Sequence, residues 1–358
     1  MSQMSQMSGD LERAVALISP ARRVLVTAHL GPDGDAAGSM SALVAMLREQ
    51  GREATFYNPD PLPRALRWLP HAKSQKKKLS ATARFDLTIV VDCGDRRLLG
   101  DAFPPPEVTG PVLALDHHAH ARPFGDVFYT DPQASAVGVL VARIARALGW
   151  PISADAAAGI YLAIATDTGW FRYANTTAET FALAAELVGV SGADPREIAA
   201  RVTEEFSVGR YRLLARVLDG MTLELGGKVA LLTITDEMVR AAGAIWSDTD
   251  GFVNYARALA GVECGVLLTP AKGGGARVSL RAKRGPIDAG AICALLGGGG
   301  HAGAAGCRVT GTVEEARVVV LAALAAALGV AAPAVSTAAP PATPTAAPPA
   351  TPTVAVES

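Results

Sequence analysis

Val24-Leu-Val-Thr-Ala-His29-Leu-Gly-Pro-Asp33-Gly-Asp35-Ala-Ala-Gly38-Ser39 is an apolar run that ends in three metal-competent side chains within seven residues. Ionised carboxylates are costly in an apolar interior unless they are paired or hold a cation. An imidazole beside carboxylates suits a divalent ion such as Mn²⁺, Fe²⁺ or Zn²⁺. Taken alone the stretch also reads as a solvated turn, because Pro-Asp-Gly-Asp is good turn chemistry.

Three later segments answer it. Leu87-Thr-Ile-Val-Val-Asp92 is an apolar run ending in a carboxylate, and Pro111-Val-Leu-Ala-Leu-Asp116-His117-His118 is another, ending in Asp-His-His. Tyr161-Leu-Ala-Ile-Ala-Thr166-Asp167-Thr168-Gly169 closes a third apolar stretch, read as helical, with a further Asp. Short apolar runs between helical patterns predict buried parallel strands. Sites in open α/β sheets form beyond the carboxyl ends of the strands. Any one of these Asp residues reads equally as a helix N-cap. Four in succession predict one shared site.

These segments resemble the metal motifs of the DHH-family phosphoesterases, in order and in spacing, with Asp116-His117-His118 as the name-giving triplet. Gly297-Gly-Gly-Gly300-His301-Ala-Gly-Ala-Ala305-Gly306 resembles the Gly-rich substrate loop of the DHH-associated C-terminal domain. The resemblance covers roughly residues 11–328. It is nearest to the RecJ-like stand-alone branch of oligoribonucleases, pAp phosphatases and cyclic-dinucleotide phosphodiesterases, whose pattern Asp167-Thr-Gly-Trp-Phe171-Arg172-Tyr173-Ala-Asn-Thr176-Thr177 follows. One departure is Ala134-Ser-Ala-Val-Gly-Val139, where such proteins often carry a Ser/Thr-rich helix start with a Glu in its first turn.

The 358 residues suffice for two domains of ordinary size, and half of them are apolar. The expected fold is α/β: an N-terminal parallel-sheet domain with a smaller mixed α/β domain over the active-site cleft. The expected boundaries are a disordered start over 1–10, a catalytic domain over 11–190, a helical connector over 191–216, a substrate-binding domain over 217–328 and a disordered tail over 331–358. The tail repeats Ala-Ala-Pro-Pro-Ala-Thr-Pro-Thr, in which Pro forbids helix and the apolar residues are too small to build a core. A net charge of −1 argues against a long basic groove for nucleic acid. Cys93, Cys264, Cys293 and Cys307 lack Cys-x-x-Cys spacing and read as core residues in a reducing cytoplasm. No apolar run reaches membrane-spanning length.

Asp33, Asp35, Asp92 and Asp167 carry four negative charges, which two divalent cations neutralise. The resemblance implies that His29 and Asp33 hold one ion, that Asp35, His117 and Asp167 hold the other, and that Asp92 bridges. Imidazole among carboxylates favours Mn²⁺, with Mg²⁺, Fe²⁺ or Zn²⁺ as alternatives. Such a pair of ions activates a water for phosphoryl displacement. The resemblance assigns His118 to the substrate phosphate, while Asp116 reads as orienting its neighbours. Consecutive glycines at Gly298, Gly299 and Gly300 read as a backbone anion nest, with His301 as an added donor. In Ser279-Leu-Arg281-Ala-Lys283-Arg284, Arg281 is the preferred phosphate ligand because its fork binds bidentately. The expected activity is metal-dependent hydrolysis of very short RNA, pAp, or linear and cyclic dinucleotides. A RecJ-type exonuclease, a family II inorganic pyrophosphatase and a non-catalytic nucleotide sensor are the alternatives. Related two-domain enzymes suggest a homodimer.

Overall fold

The computed structural model describes residues 3–191, 194–204, 206–271, 273–283 and 285–331; the tail from residue 332 and Arg284 lie outside the described residues. The first half of the chain contains α1 (Gln3–Ile18), β1 (Arg23–Ala28), α2 (Gly34–Glu49), β2 (Glu53–Phe56), β3 (Leu87–Val91), α3 (Pro106–Thr109), β4 (Val112–Asp116), β5 (Val127–Thr130), α4 (Val137–Ala147), α5 (Ala154–Asp167) and α6 (Ala178–Ser191). Helices α7 (Pro195–Thr203) and α8 (Val208–Asp219) follow. The second half contains β6 (Thr222–Glu224), β7 (Val229–Thr233), α9 (Asp236–Ala242), α10 (Val253–Ala258), β8 (Cys264–Pro270), β9 (Ala276–Ala282), α11 (Ala289–Leu295), β10 (Gly299–His301), β11 (Ala304–Val309) and α12 (Val313–Leu328).

The first sheet has the order β2-β1-β3-β4-β5, and every pairing in it is parallel. Strands β3 and β4 are buried along their whole length. Helices cover both faces of such a sheet, so its central strands need no polar side. Because all the strands run the same way, His29, Asp92 and the Asp116-His117-His118 triplet emerge together at the carboxyl ends of the strands.

Helix α2 is buried from Gly34 to Leu47, since α5 covers the side turned away from the sheet. The two helices cross at Gly38 and Gly159. A Cβ on Gly38 would lie 2.4 Å from the Gly159 carbonyl oxygen, and one on Gly159 would lie 2.6 Å from that of Gly38. Only glycine at both positions allows this approach. The crossing sets α2, which carries Asp35, against α5, which ends in Asp167.

The second sheet is mixed, in the order β10-β11-β9-β8-β7-β6, with β7 and β8 its parallel pair. One face packs on α11 and α12, the other on α8, α9 and α10. Helix α8 buries Leu213, Leu214 and Val217 in this second core, so the connecting segment narrows to α7. Two expectations are corrected. The chain is helical from Gln3, where residues 1–10 were expected to be unstructured: one glycine and no proline precede Leu11, and Gln and Met are good helix formers. Burial of Ala14 and Ile18 anchors that helix. The glycine run, expected as a loop, forms β10 in a hairpin with β11.

Candidate metal centre

His29 leaves β1 with its Nδ1 2.8 Å from the Leu30 carbonyl oxygen. A carbonyl only accepts, so Nδ1 carries the proton and the Nε2 lone pair points inward. There it lies 3.5 Å from Asp92 Oδ2. His117 repeats the arrangement after β4. Its Nδ1 donates to the Ala134 carbonyl at 3.0 Å, and its Nε2 faces Asp35 at 3.6 Å, Asp167 at 3.5 Å and Asp92 at 3.9 Å. A bare lone pair aimed at three carboxylates is repulsive. The position suits a metal ion.

Asp33 caps α2 by accepting from the Ala36 N–H at 3.1 Å. Asp35, the second residue of the same helix, is held by three donors: Val137 N–H at 2.7 Å, Gly138 N–H at 3.1 Å and Ser39 Oγ at 3.0 Å. The first two are the opening amides of α4, where a helix N-terminus favours negative charge. Asp167 closes α5 and receives the Asn175 amide at 3.3 Å. Asp92 adopts a left-handed backbone at φ 51°, uncommon outside glycine, and its buried Oδ1 has no hydrogen-bond partner among the described residues. A buried carboxylate oxygen left unpaired is expensive. An ion bound there would remove the cost.

Among the described residues, four sets of ligand atoms lie within 4.8 Å of one another. Two are His117 with His118 and His301, and Asp92 with Asp116 and His118; the other two contain all six expected ligands, His29 with Asp33 and Asp92, and Asp35 with His117 and Asp167. Asp92 lies between them, in contact with His29 on one side and His117 on the other. All six sequence-predicted ligands are therefore brought together, and the donor set of imidazole and carboxylate fits divalent cations. Electrostatics agree. Burial and the charge of Asp92 hold Asp35 and Asp167 well above the usual carboxylate range. Burial also pushes Asp92 up, but the His29 contact and the charges of His118 and His117 outweigh it and leave the group below its usual range. Burial would lower His29, yet Asp92 and Asp33 raise it to about 9. The centre gathers positive charge from protons that divalent ions would replace.

Asp116 is fully buried and grips its neighbour twice, accepting from the His118 N–H at 3.1 Å and from His118 Nδ1 at 2.9 Å. Burial alone would lower His118, but Asp116 raises it to about 10, so the ring is an imidazolium at neutral pH. His301 comes from β10 in the second half and stacks on it, with ring centroids 4.3 Å apart and planes at 14°. Burial and the charges of His118 and His117 hold His301 down at about 3, so it is neutral, and its buried Nε2 lacks a partner. The Arg281 side chain on β9 donates to the Leu280 carbonyl at 2.9 Å, and lies near enough to Asp33 and Asp167 to feel their charge.

The glycine run is not an open anion nest. The Gly298 N–H donates to the Cys293 carbonyl at 2.8 Å, and Gly299 and Gly300 pair with Gly306 and Ala305. Glycine is needed here for packing: a Cβ at Gly298 would meet the Gly306 carbonyl at 2.2 Å. The run seats His301. Sequence reasoning missed the backbone groups of Ala134, Val137 and Gly138, because side-chain identity does not reveal which amides a fold exposes. The apparent departure at 134–139 is where the chain supports Asp35 and His117.

Comparison with known proteins gives a consistent result. Residues 23–164 match the model of the DHH family, N-terminal domain, and residues 226–329 that of the DHHA1 domain. The bifunctional oligoribonuclease and PAP phosphatase of Thermus thermophilus is 34% identical over 290 residues, covering 80% of this chain and 84% of that protein. The protein of the same description from Bacillus subtilis is 25% identical over 318 residues, covering 87% and 96%. The crystal structure of an exopolyphosphatase-related protein from Bacteroides fragilis superposes with a TM-score of 0.78 at 26% identity, covering 88% of this chain and 96% of that one.

Proposed function

From the premise that the chain belongs to the DHH family and is a hydrolase of phosphoester bonds, we propose that it cleaves very short oligoribonucleotides and the nucleoside bisphosphate pAp, releasing mononucleotides. The observation that carries this reading is Asp92: a buried carboxylate with an unpaired oxygen, between two sets of ligands drawn from four separate segments. His29, Asp33 and Asp92 would hold one divalent ion, and Asp35, His117 and Asp167 the other, Mn²⁺ being the preferred metal. Bound ions of this kind supply Lewis acidity and lower the pKa of water toward neutrality.

The chain's own residues supply the rest. Asp116 keeps the His118 ring oriented and protonated, so that it donates a hydrogen bond to a phosphoryl oxygen or a proton to the leaving oxygen. Arg281 and His301 approach from the second half and grip the substrate away from the reacting phosphorus. The near-neutral net charge supports small substrates over long nucleic acid. The homologues' names support oligoribonucleotides and pAp over cyclic dinucleotides and pyrophosphate.

One panel tests the reading: kcat/KM for pAp, RNA from two to about twenty nucleotides, a cyclic dinucleotide and pyrophosphate, with Mn²⁺ and with EDTA. Efficient, Mn²⁺-dependent cleavage that falls steeply with RNA length is expected. Equal efficiency across the length series, or activity undiminished by EDTA, refutes the proposal.

A further inference from the structure

The segment between β5 and α4 carries none of the six ligands, yet all three members of one set depend on it. The Ala134 carbonyl accepts from His117 Nδ1 at 3.0 Å. The Ser135 carbonyl accepts from the Asn175 amide at 2.9 Å, and the same amide donates to Asp167 Oδ2 at 3.3 Å. The Val137 and Gly138 N–H groups hold Asp35. Ala136, in the cap position of α4, offers no side-chain acceptor, so those two amides are left for Asp35. The other set is supported from within its own segment: His29 bonds to the Leu30 carbonyl and Asp33 to the Ala36 N–H.

The supports are backbone groups, so their positions depend on what fixes the segment. One ion pair spans it. Asp131 opens the turn: its N–H donates to the Asp116 carbonyl at 3.2 Å, its carbonyl accepts from the Ala134 N–H at 3.0 Å, and its Oδ1 accepts from the Gln133 N–H at 2.9 Å. Its Oδ2 accepts from Arg143 Nη1 at 2.6 Å. Arg143 stands in α4, more than one turn beyond Gly138, so its guanidinium reaches back across the whole segment. Asp131 is buried, and a buried carboxylate that loses its cation is left uncompensated. The outer side of the fork holds the exposed Glu179 of α6, with Nη2 2.9 Å from both carboxylate oxygens. A planar guanidinium can serve two carboxylates at once in fixed geometry, and an ammonium cannot.

Resting on the two-ion centre proposed above, we infer that Asp131 and Arg143 are positioning residues for one of the two ions. They hold residues 134–138 in register with Asp35, His117 and Asp167, and so set the affinity of the site those three form. The site of His29 and Asp33 does not depend on them. Neither side chain is itself a ligand.

Calorimetric titration of the metal-free protein with Mn²⁺ tests this in wild type, Arg143→Ala, Arg143→Lys, Asp131→Asn and Glu179→Gln, with thermal unfolding in EDTA as the measure of folding. Wild type should take up two ions. Arg143→Ala should weaken one of them at least about tenfold and leave the other within about threefold. Asp131→Asn, which keeps the shape and removes the charge, should do the same. Arg143→Lys should fall between, and Glu179→Gln should bind both ions as wild type does. Combined with Asp167→Asn, which impairs the same site, Arg143→Ala should add little further loss; combined with Asp33→Asn it should keep its full effect. A pair that merely stabilises the fold would lower Tm and weaken both ions alike. That result, unchanged affinity for both ions in Asp131→Asn, or a loss fully additive with Asp167→Asn overturns the inference and leaves the proposed centre standing. If Arg143→Ala does not fold, Asp131→Asn and Arg143→Lys decide by the same criterion. Wild-type protein that takes up fewer than two ions overturns the proposed centre and the inference together.

Discussion

Gly38→Ala separates two effects of opposite sign. Helix propensity alone makes alanine the better residue within α2, by about 0.5–1 kcal/mol. Packing opposes this. The new methyl would lie 2.4 Å from the Gly159 carbonyl oxygen, 3.0 Å from the Ala163 nitrogen and 3.3 Å from the Ala163 Cβ. The nearest atoms are backbone on a buried helix, so no side chain can swing aside. The helices must part by roughly 1 Å, and overpacking of this kind costs about 1–3 kcal/mol. Packing wins by about 1–2 kcal/mol, which for a domain of this size lowers Tm by roughly 2–8 °C. The displacement also reaches the metal centre, because Asp35 lies one turn before Gly38 and α5 ends in Asp167. Ligand positions tolerate only about ±0.2 Å, so Mn²⁺ affinity should fall by at least about tenfold. Thermal unfolding in EDTA reads the first effect and calorimetric Mn²⁺ titration the second. A variant more stable than wild type in EDTA, with unchanged Mn²⁺ affinity, refutes the crossing as the element that registers Asp35 against Asp167.

Asp92→Asn keeps the shape and suits the left-handed backbone, since Asn tolerates positive φ. Wild type should gain about 2.7 kcal/mol at a hundredfold excess of Mn²⁺ over Kd, and the variant less than a third of that; an undiminished gain contradicts the bridging role. Asp116→Asn removes the hydrogen bond and the charge that do most to raise His118 to about 10, while Asp92 and Asp167 still raise the ring against its burial. In wild type the raised value means that this pair contributes stability in full below pH 6.5 and loses it as pH rises through about 10. The variant should lose most of that contribution, and its His118 should titrate below the wild-type ring by NMR; an unshifted titration contradicts the assignment. Arg281→Ala should lose about ten- to a hundredfold in kcat/KM on pAp but far less on bis-p-nitrophenyl phosphate, which has no second phosphate, whereas His118→Ala should damage both. Equal damage by Arg281→Ala to the two substrates argues against a separate recognition site.

The parallel sheet was legible because buried strands are spelled by unbroken apolar runs, and the polar residues that follow them mark one edge. The six ligands were legible for the same reason. The β10–β11 hairpin was not, since glycine has no side chain through which alternation could show. The supports for Asp35 and His117 are amides and a carbonyl in Ala134–Gly138, and any residue type carries those. The contact of Tyr173 with Arg257 joins distant parts of the chain through one ring face, and no local periodicity encodes it.

The stacked rings of His118 and His301 have a kinetic meaning. At a centroid separation of 4.3 Å they leave no gap for a phosphate between them, so a ligand that binds between the rings must part them. Because one ring belongs to each half of the chain, a separation of the two halves that parts them would move large bodies through solvent. Friction opposes such a movement, whereas it leaves bond-breaking in a closed cleft almost untouched. Turnover limited by this clasp would slow in proportion to the viscosity of added sucrose, and a smaller residue at position 301 would release the enzyme from that drag.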